Sequence, residues 1–257
     1  MIYEVDSNLR KNLCSVFKNI DCTLILSCLQ GHMGKAWADD IEKPTVVQVI
    51  VGVFAFYAGD PNSKEAEELL YNLPENILVI VDTEEWKKRI EIIHKGRMEK
   101  FQRYRFKRDI KNLDVDHLNT FLSTLPEGYE LKKIDKSLAK NPSLQELSED
   151  FTSQFKSIDD YINIGIGFCI LHNEKIVSAA SSYSVYDEGI EIEVDTLPEY
   201  RRKGLATIAA AALILDCISK GKYPSWDAAN LESVKLAQKL GYVLKEPYDT
   251  YYVNYIR

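Results

Sequence analysis

The sequence predicts an α+β fold in two parts, and three observations predict it. Helix and strand signals alternate through the first half of the chain. Between residues 165 and 195, three apolar or alternating runs are separated only by His172-Asn173-Glu174 and Asp187-Glu188-Gly189, as in an antiparallel meander. The apolar segment 205–220 has the length of a helix and is stopped by Gly221. A mixed, mostly antiparallel sheet flanked by helices is expected in the C-terminal part, with a smaller α+β domain before it.

In chain order, residues 5–28 suggest a helix with a poorly defined end. Residues 45–57, apolar and β-branched, read as one or two buried strands. Gly59-Asp60-Pro61-Asn62-Ser63 is a turn, and Asn62 or Ser63 caps a helix to about Tyr71. Residues 77–81 are a short strand, and Asp82 or Thr83 caps a helix that Gly96 ends. Residues 109–127 are polar and close on Leu125-Pro126-Glu127-Gly128, so the division is drawn there, into domains 1–120 and 121–257. Beyond it, 129–134 is a strand. Ser143 caps a helix to about Phe151, and strands follow at 165–171, 175–186 and 190–195. After the 205–220 helix come a short strand at 223–226, a helix at 231–240 and a last strand at 248–256. No internal repeat is visible.

The 257 residues are 46% hydrophobic and 28% charged, with net charge −7. An acidic chain has no general attraction to nucleic-acid phosphates or anionic membranes. No apolar run reaches bilayer length, and the N-terminus lacks the basic start and apolar stretch of a signal peptide. Five cysteines without C-x-x-C spacing argue against a disulfide framework or a zinc site. His32, His94, His117 and His172 are scattered, so no metal is expected. A cytoplasmic protein with reduced thiols fits these observations.

The chemistry gathers at Val194-Asp195-Thr196-Leu197-Pro198-Glu199-Tyr200-Arg201-Arg202-Lys203-Gly204-Leu205-Ala206-Thr207. A strand ends, a loop turns and a helix begins among small residues. The first turn of a helix has N–H groups without intrahelical partners, at the positive end of its dipole. Gly204 and Ala206 leave room for a phosphate, and Arg201, Arg202 and Lys203 add positive charge. This is the pattern of a pyrophosphate site.

Arg201-x-x-Gly204-x-Ala206 resembles the Q/R-x-x-G-x-G/A signature of the GNAT superfamily of acyl-CoA-dependent N-acyltransferases. Asn230 and Ala237-Gln238-Lys239-Leu240-Gly241-Tyr242 resemble that family's later helix and its K-L-G-F/Y ending. The likeness covers about half the chain. Tyr223-Pro224-Ser225-Trp226-Asp227 with Asn230 and Ser233 looks like a branch that includes a zwittermicin-type resistance acetyltransferase. The resemblance implies acetyl-CoA as cosubstrate. Its pantetheine arm would meet the backbone of Val194 and Thr196, its pyrophosphate the segment from Arg201 to Thr207 with Leu205, and Asn230 and Ser233 would lie against it. Transfer of the acetyl group to the primary amine of a small molecule is the implied reaction.

Such a transfer needs a base. Glu191, Glu193 and Asp195 alternate with Ile190, Ile192 and Val194, which places the three carboxylates on one strand face. Glu193 is the first candidate base and Glu191 the second; a solvated strand face is the plain alternative. Ala237 stands where many relatives carry a tyrosine acid, and Tyr248, Tyr251 and Tyr252 are substitutes in principle. The acceptor cleft is expected between the two halves, near the free end of strand 190–196, with Tyr183 or Tyr186 lining it. Capping of an apolar face or support of a homodimer is the other use open to the N-terminal half. Two rival functions follow from particular residues. Ala237 encourages a non-catalytic acyl-CoA-binding regulator. The run 97–108, with Phe101, Tyr104 and Phe106 among its basic residues, permits a nucleic-acid groove, though it reads better as a strand with one wet face.

Overall fold

The computed structural model describes residues 1–17 and 21–254. The chain packs as two compact units, 1–103 with 247–257, and 104–246.

The first unit opens with β1 (Tyr3–Glu4), a 3-10 turn at Arg10–Ser15 and α1 (Thr23–Leu29). The expected helix over 5–28 is thus divided, and 18–20 lie outside the described residues. Then come β2 (Lys35–Ala38), β3 (Val46–Val51), β4 (Phe54–Gly59), α2 (Lys64–Tyr71), β5 (Ile77–Ile80), α3 (Glu84–Ile93) and β6 (Met98–Phe106). The apolar run 45–57 is two strands. Of the paired cap candidates, Ser63 and Thr83 are used, accepting from the N–H groups of Ala66 and Trp86.

The second unit contains α4 (Val115–Leu122), β7 (Tyr129–Lys133), α5 (Lys136–Ala139), α6 (Pro142–Leu147), α7 (Ile158–Ile164), β8 (Gly167–His172), β9 (Lys175–Tyr186), β10 (Gly189–Thr196), α8 (Leu205–Ser219), β11 (Tyr223–Ser225), β12 (Asp227–Ala228) and α9 (Leu231–Lys239). The last strand, β13 (Leu244–Val253), begins earlier than expected; the end of the expected strand, 255–256, lies outside the described residues. In α6 the cap is Asn141, which accepts from the Ser143 N–H, because Pro142 takes the first helical position. The helix stops at Leu147, and Ser148 caps a 3-10 turn in place of its expected continuation.

The first unit's strands run in the order β1-β2-β3-β4-β5-β13-β6. Neighbours from β1 to β4 are antiparallel, and α2 crosses to β5, which lies parallel to β4. The second unit's sheet, β11-β10-β9-β8-β7, repeats this plan: β7 to β10 are antiparallel, and α8 crosses to β11, parallel to β10. The repeat is one of topology, which residue-by-residue reading does not reveal.

Helix α8 is apolar all round, so it needs cover on both sides. One side packs on β8, β9, β10 and β11; the other receives α4, through the fully buried Leu118. The division drawn between residues 120 and 121 falls inside α4, because that helix serves as α8's outer cover.

Candidate functional site

Strand β10 is where the second sheet opens. Its first residues, 189–191, pair in parallel with β11, and then the chain turns aside into β12, whose partners are Tyr104 and Arg105. Pro224, with no N–H to donate, sits inside this three-residue ladder. Residues 192–196 therefore have β9 on one side and, among the described residues, no strand on the other. The Leu197 N–H donates to the Val177 carbonyl at 3.0 Å. Counting back by twos, residues 195 and 193 turn their backbone groups to β9, and 192, 194 and 196 turn theirs to the open edge.

Val194 thus presents its backbone along that edge. Thr196 is more engaged: its N–H donates to Asp195 Oδ1 at 2.6 Å, and its carbonyl accepts from Arg201 Nε at 3.0 Å. Arg201 Nη2 also lies 3.7 Å from Asp195 Oδ1. Arg201 is tied sideways to the end of β10, so its charge is shared with Asp195. Lys203 is held laterally too, with Nζ donating to the Tyr129 hydroxyl at 3.2 Å and lying 4.8 Å from the Tyr200 ring centre.

The loop itself is a cradle. Arg202 has φ +62°, a conformation uncommon for a residue with a side chain, and Gly204 has φ +80° at the start of α8. Alternation of this kind turns successive N–H groups toward one concavity. Gly204 supplies no capping side chain, so the N–H groups of Leu205, Ala206 and Thr207 begin a 15-residue helix without one. The side chains of Leu205 and Thr207 are buried, and nothing lies within 4 Å of where a Gly204 Cβ would stand. The mouth is basic, backbone-lined and open.

The matching crossover of the first unit has the opposite character. There the Ser63 hydroxyl caps α2, Asp60 Oδ1 takes the Asn62 N–H, and Glu65 and Glu67 occupy the first turn. Carboxylates and a capping hydroxyl already satisfy that mouth, so a phosphate would meet repulsion rather than donors. Among the described residues, the same topology thus leaves an uncapped, basic helix start in the second unit and a capped, acidic one in the first.

Asn230 and Ser233 begin α9. Asn230 Oδ1 accepts from the Ser233 N–H at 2.9 Å, and Ser233 Oγ accepts from Trp226 Nε1 at 3.1 Å. Both side chains therefore hold the turn after β12. Ala237 is fully buried in α9. Of the substitute acids, Tyr251 donates to Glu91 at 3.0 Å and Tyr252 to Asn76 at 2.7 Å, all within the first unit.

The carboxylates of β10 are unequal. Glu191 is only 8% exposed and sits at the branch point, whereas Glu193 and Asp195 are half-buried or more open. The Glu191 charge acts on the hydroxyls of Tyr186, Tyr223 and Tyr242. Burial pushes Tyr186 and Tyr223 up to about 12, so both phenols keep their protons at neutral pH. The Tyr186 hydroxyl lies over Gly189, since a Cβ there would come 2.8 Å from it; it therefore shares the Glu191 face. Arg108 Nη2 donates to that hydroxyl at 3.1 Å. Sequence reading names Glu191 and Tyr186 as site candidates, gives Tyr223 only as part of a short strand and Arg108 only as the end of a basic run, and does not single out Ser184.

Among the described residues, no helix is long and apolar enough to cross a membrane, and no cluster of His, Cys, Asp or Glu is placed to hold a metal ion. The stretch 98–106 is strand β6.

The model of the GNAT acetyltransferase family matches residues 14–251. A GCN5-related N-acetyltransferase-like protein from Streptococcus suis 89/1591, solved as a crystal structure, superposes with a TM-score of 0.88 at 35% identity, over 97% of this chain and 100% of its own. An uncharacterized N-acetyltransferase, YdfB, of Bacillus subtilis (strain 168) is 27% identical over 267 residues, 98% of each chain. A tandem GNAT protein from the clavulanic acid biosynthesis pathway shares the fold at a TM-score of 0.59 and 9% identity, over 99% of this chain and 98% of its own.

Proposed function

Because the chain belongs to the GNAT acetyltransferase family, whose general activity is acyl transfer dependent on acetyl-CoA, we propose that it moves an acetyl group from acetyl-CoA to the primary amine of a small molecule. The observation that carries this reading is one continuous feature. An uncapped, basic helix mouth at Gly204 opens onto the free edge of β10, and that edge leads to a buried carboxylate, Glu191.

In the proposed arrangement the pyrophosphate sits on the N–H groups of 204–207, with Arg202 and Lys203 adding charge. The pantetheine arm lies along the open edge and bonds to the Val194 backbone. Thr196, Asn230 and Ser233 contribute by holding the walls, since their hydrogen bonds already serve the loop and the α9 turn. The thioester then reaches the branch of β10 and β11. Glu191, or Glu193 in second place, takes a proton from the ammonium. The amine nitrogen attacks the thioester carbonyl and forms the N–C bond, the C–S bond breaks, the departing thiolate receives a proton, and the nitrogen gives up its second proton to solvent as the amide forms. Burial and position favour Glu191 over Glu193. Tyr186 and Tyr223, protonated and near Glu191, replace the tyrosine that Ala237 lacks as sources of that proton. The likeness to zwittermicin-type resistance enzymes supports a small-molecule acceptor.

Ala237 favours one competing reading, a non-catalytic acyl-CoA-binding regulator. Thiol release from acetyl-CoA with a panel of primary amines separates the two. Amine-dependent release supports transfer; tight acetyl-CoA binding without release from any amine supports the regulator.

A further inference from the structure

We infer that Arg108 is the anion-binding residue of the acceptor site, so that the amine acetylated here also carries a carboxylate. The inference rests on the acyl-transfer reading and narrows its substrate class.

Arg108 is an exposed side chain held in place by aromatic groups. Its guanidinium donates to the Tyr186 hydroxyl at 3.1 Å and lies 5.3 Å from the Tyr186 ring centre and 5.6 Å from that of Tyr223. Among the described residues its hydrogen bond is to the Tyr186 hydroxyl; the charge of Glu188 acts on Tyr186 and that of Asp109 on Tyr223. A guanidinium fixed in orientation with donors unspent has already lost the freedom that binding a carboxylate would otherwise remove. Its planar fork matches a carboxylate in two parallel hydrogen bonds.

The neighbourhood points to a ligand for a second reason. Ser184 pairs in register with Glu191, so both side chains rise from the same face, and Tyr186 lies two residues along. The Ser184 hydroxyl is fully buried and has no hydrogen-bond partner among the described residues. A buried polar group left unpaired is unfavourable by about 1–3 kcal/mol and calls for a partner that arrives later. Tyr186, Ser184 and Glu191 thus bring a phenol, a hydroxyl and a carboxylate to one face of β9 and β10, and Arg108 adds a cation through its bond to the phenol.

Charge and spacing choose the ligand. Glu191 on this face opposes a dianionic phosphate, whereas a singly charged carboxylate on Arg108 leaves the ammonium to Glu191. The step from Gly189, beneath the Tyr186 hydroxyl, to Glu191 is roughly 7 Å along the strand. That suits an amino acid whose amine and carboxylate are a few bonds apart.

The test uses the full chain, acetyl-CoA and matched acceptors: lysine with cadaverine, ornithine with putrescine, tyrosine with tyramine. The expected result is that at least one amino acid exceeds its decarboxylated partner in kcat/KM by about tenfold or more, the size of one hydrogen bond to a charged group. Arg108→Gln should lower that ratio by a similar factor, chiefly through KM, and Arg108→Lys by less. Decarboxylated amines turned over as well as the acids, or a ratio that Arg108→Gln leaves intact, would overturn the inference. Calorimetric binding of acetyl-CoA by the same samples distinguishes the failures. Binding with amine turnover but no preference for acids removes only the role of Arg108; absence of binding removes the acyl-transfer reading with it.

Discussion

Arg201 Nε donates to the carbonyl oxygen of Thr196 at 3.0 Å, so the basic loop is tied back to the strand from which it departs. The ion pair to Asp195, at 3.7 Å and largely in solvent, adds little. The tether matters because a cradle of N–H groups binds an anion well only when the groups are already aimed. Arg201→Ala should weaken acetyl-CoA binding about 2- to 10-fold, as for loss of one solvent-exposed hydrogen bond of roughly 0.5–1.5 kcal/mol, with kcat nearly kept. A fall in kcat at unchanged KM would place Arg201 in the chemistry instead.

Glu191→Gln keeps the size of the side chain and removes its basicity. The expected loss in kcat is about 100-fold or more, the usual contribution of a positioned base, with acetyl-CoA affinity retained. Glu193→Gln should have a much smaller effect. Stopped-turnover and steady-state rates for both variants check the order; the reverse ranking would return the base to Glu193.

Asn230 caps α9 through the Ser233 N–H. Asn230→Ala should therefore lower stability by about 1 kcal/mol, read as a drop in Tm. A second loss, of acetyl-CoA affinity, is expected only if its amide nitrogen also reaches the coenzyme. Melting and calorimetry on one sample separate the two effects.

The site's backbone was legible from residue types, because glycine, small side chains and arginines at a strand-to-helix junction have few other uses. The carboxylate face was legible from period two, although period two gives direction and not depth: it could not rank Glu191 above Glu193, since depth depends on β11 and on Tyr186 folding back over Gly189. Helix α4 went unseen because 109–127 is polar overall. The clue lay elsewhere, in α8, whose apolar residues face every direction and so demand a cover. Arg108 and Tyr223 are 115 positions apart in the chain, a pairing that no local pattern can carry. Ser143 fits the pattern of a cap, but Asn141-Pro142 places both a cap and a first-turn proline just ahead of it.

His94 is buried at the end of α3, and burial lowers its pKa to about 4, with the charge of Arg97 adding to the effect. An unfolded histidine titrates near about 6.5, so between these values the unfolded chain binds more protons than the native one. Stability from this group is complete above about pH 6.5 and is lost as pH falls toward about 4, by roughly 3 kcal/mol in all. Urea unfolding at pH 7.5 and at pH 4.5 should show a smaller difference in His94→Gln than in the parent. Equal differences would mean that His94 does not drive the acid sensitivity.

The most direct measurement is calorimetric titration of acetyl-CoA into the intact protein and into Gly204→Glu and Gly204→Ala. Space at Gly204 is open, but its φ of +80° strains any side chain, by about 1–2 kcal/mol. Both variants should stay folded with a lowered Tm. Gly204→Ala should retain measurable affinity, whereas Gly204→Glu, which brings bulk and a negative charge to the helix mouth, should bind no acetyl-CoA. Undiminished affinity in a folded Gly204→Glu would contradict the placement of the coenzyme at the start of α8, and with it the path along β10 to Glu191.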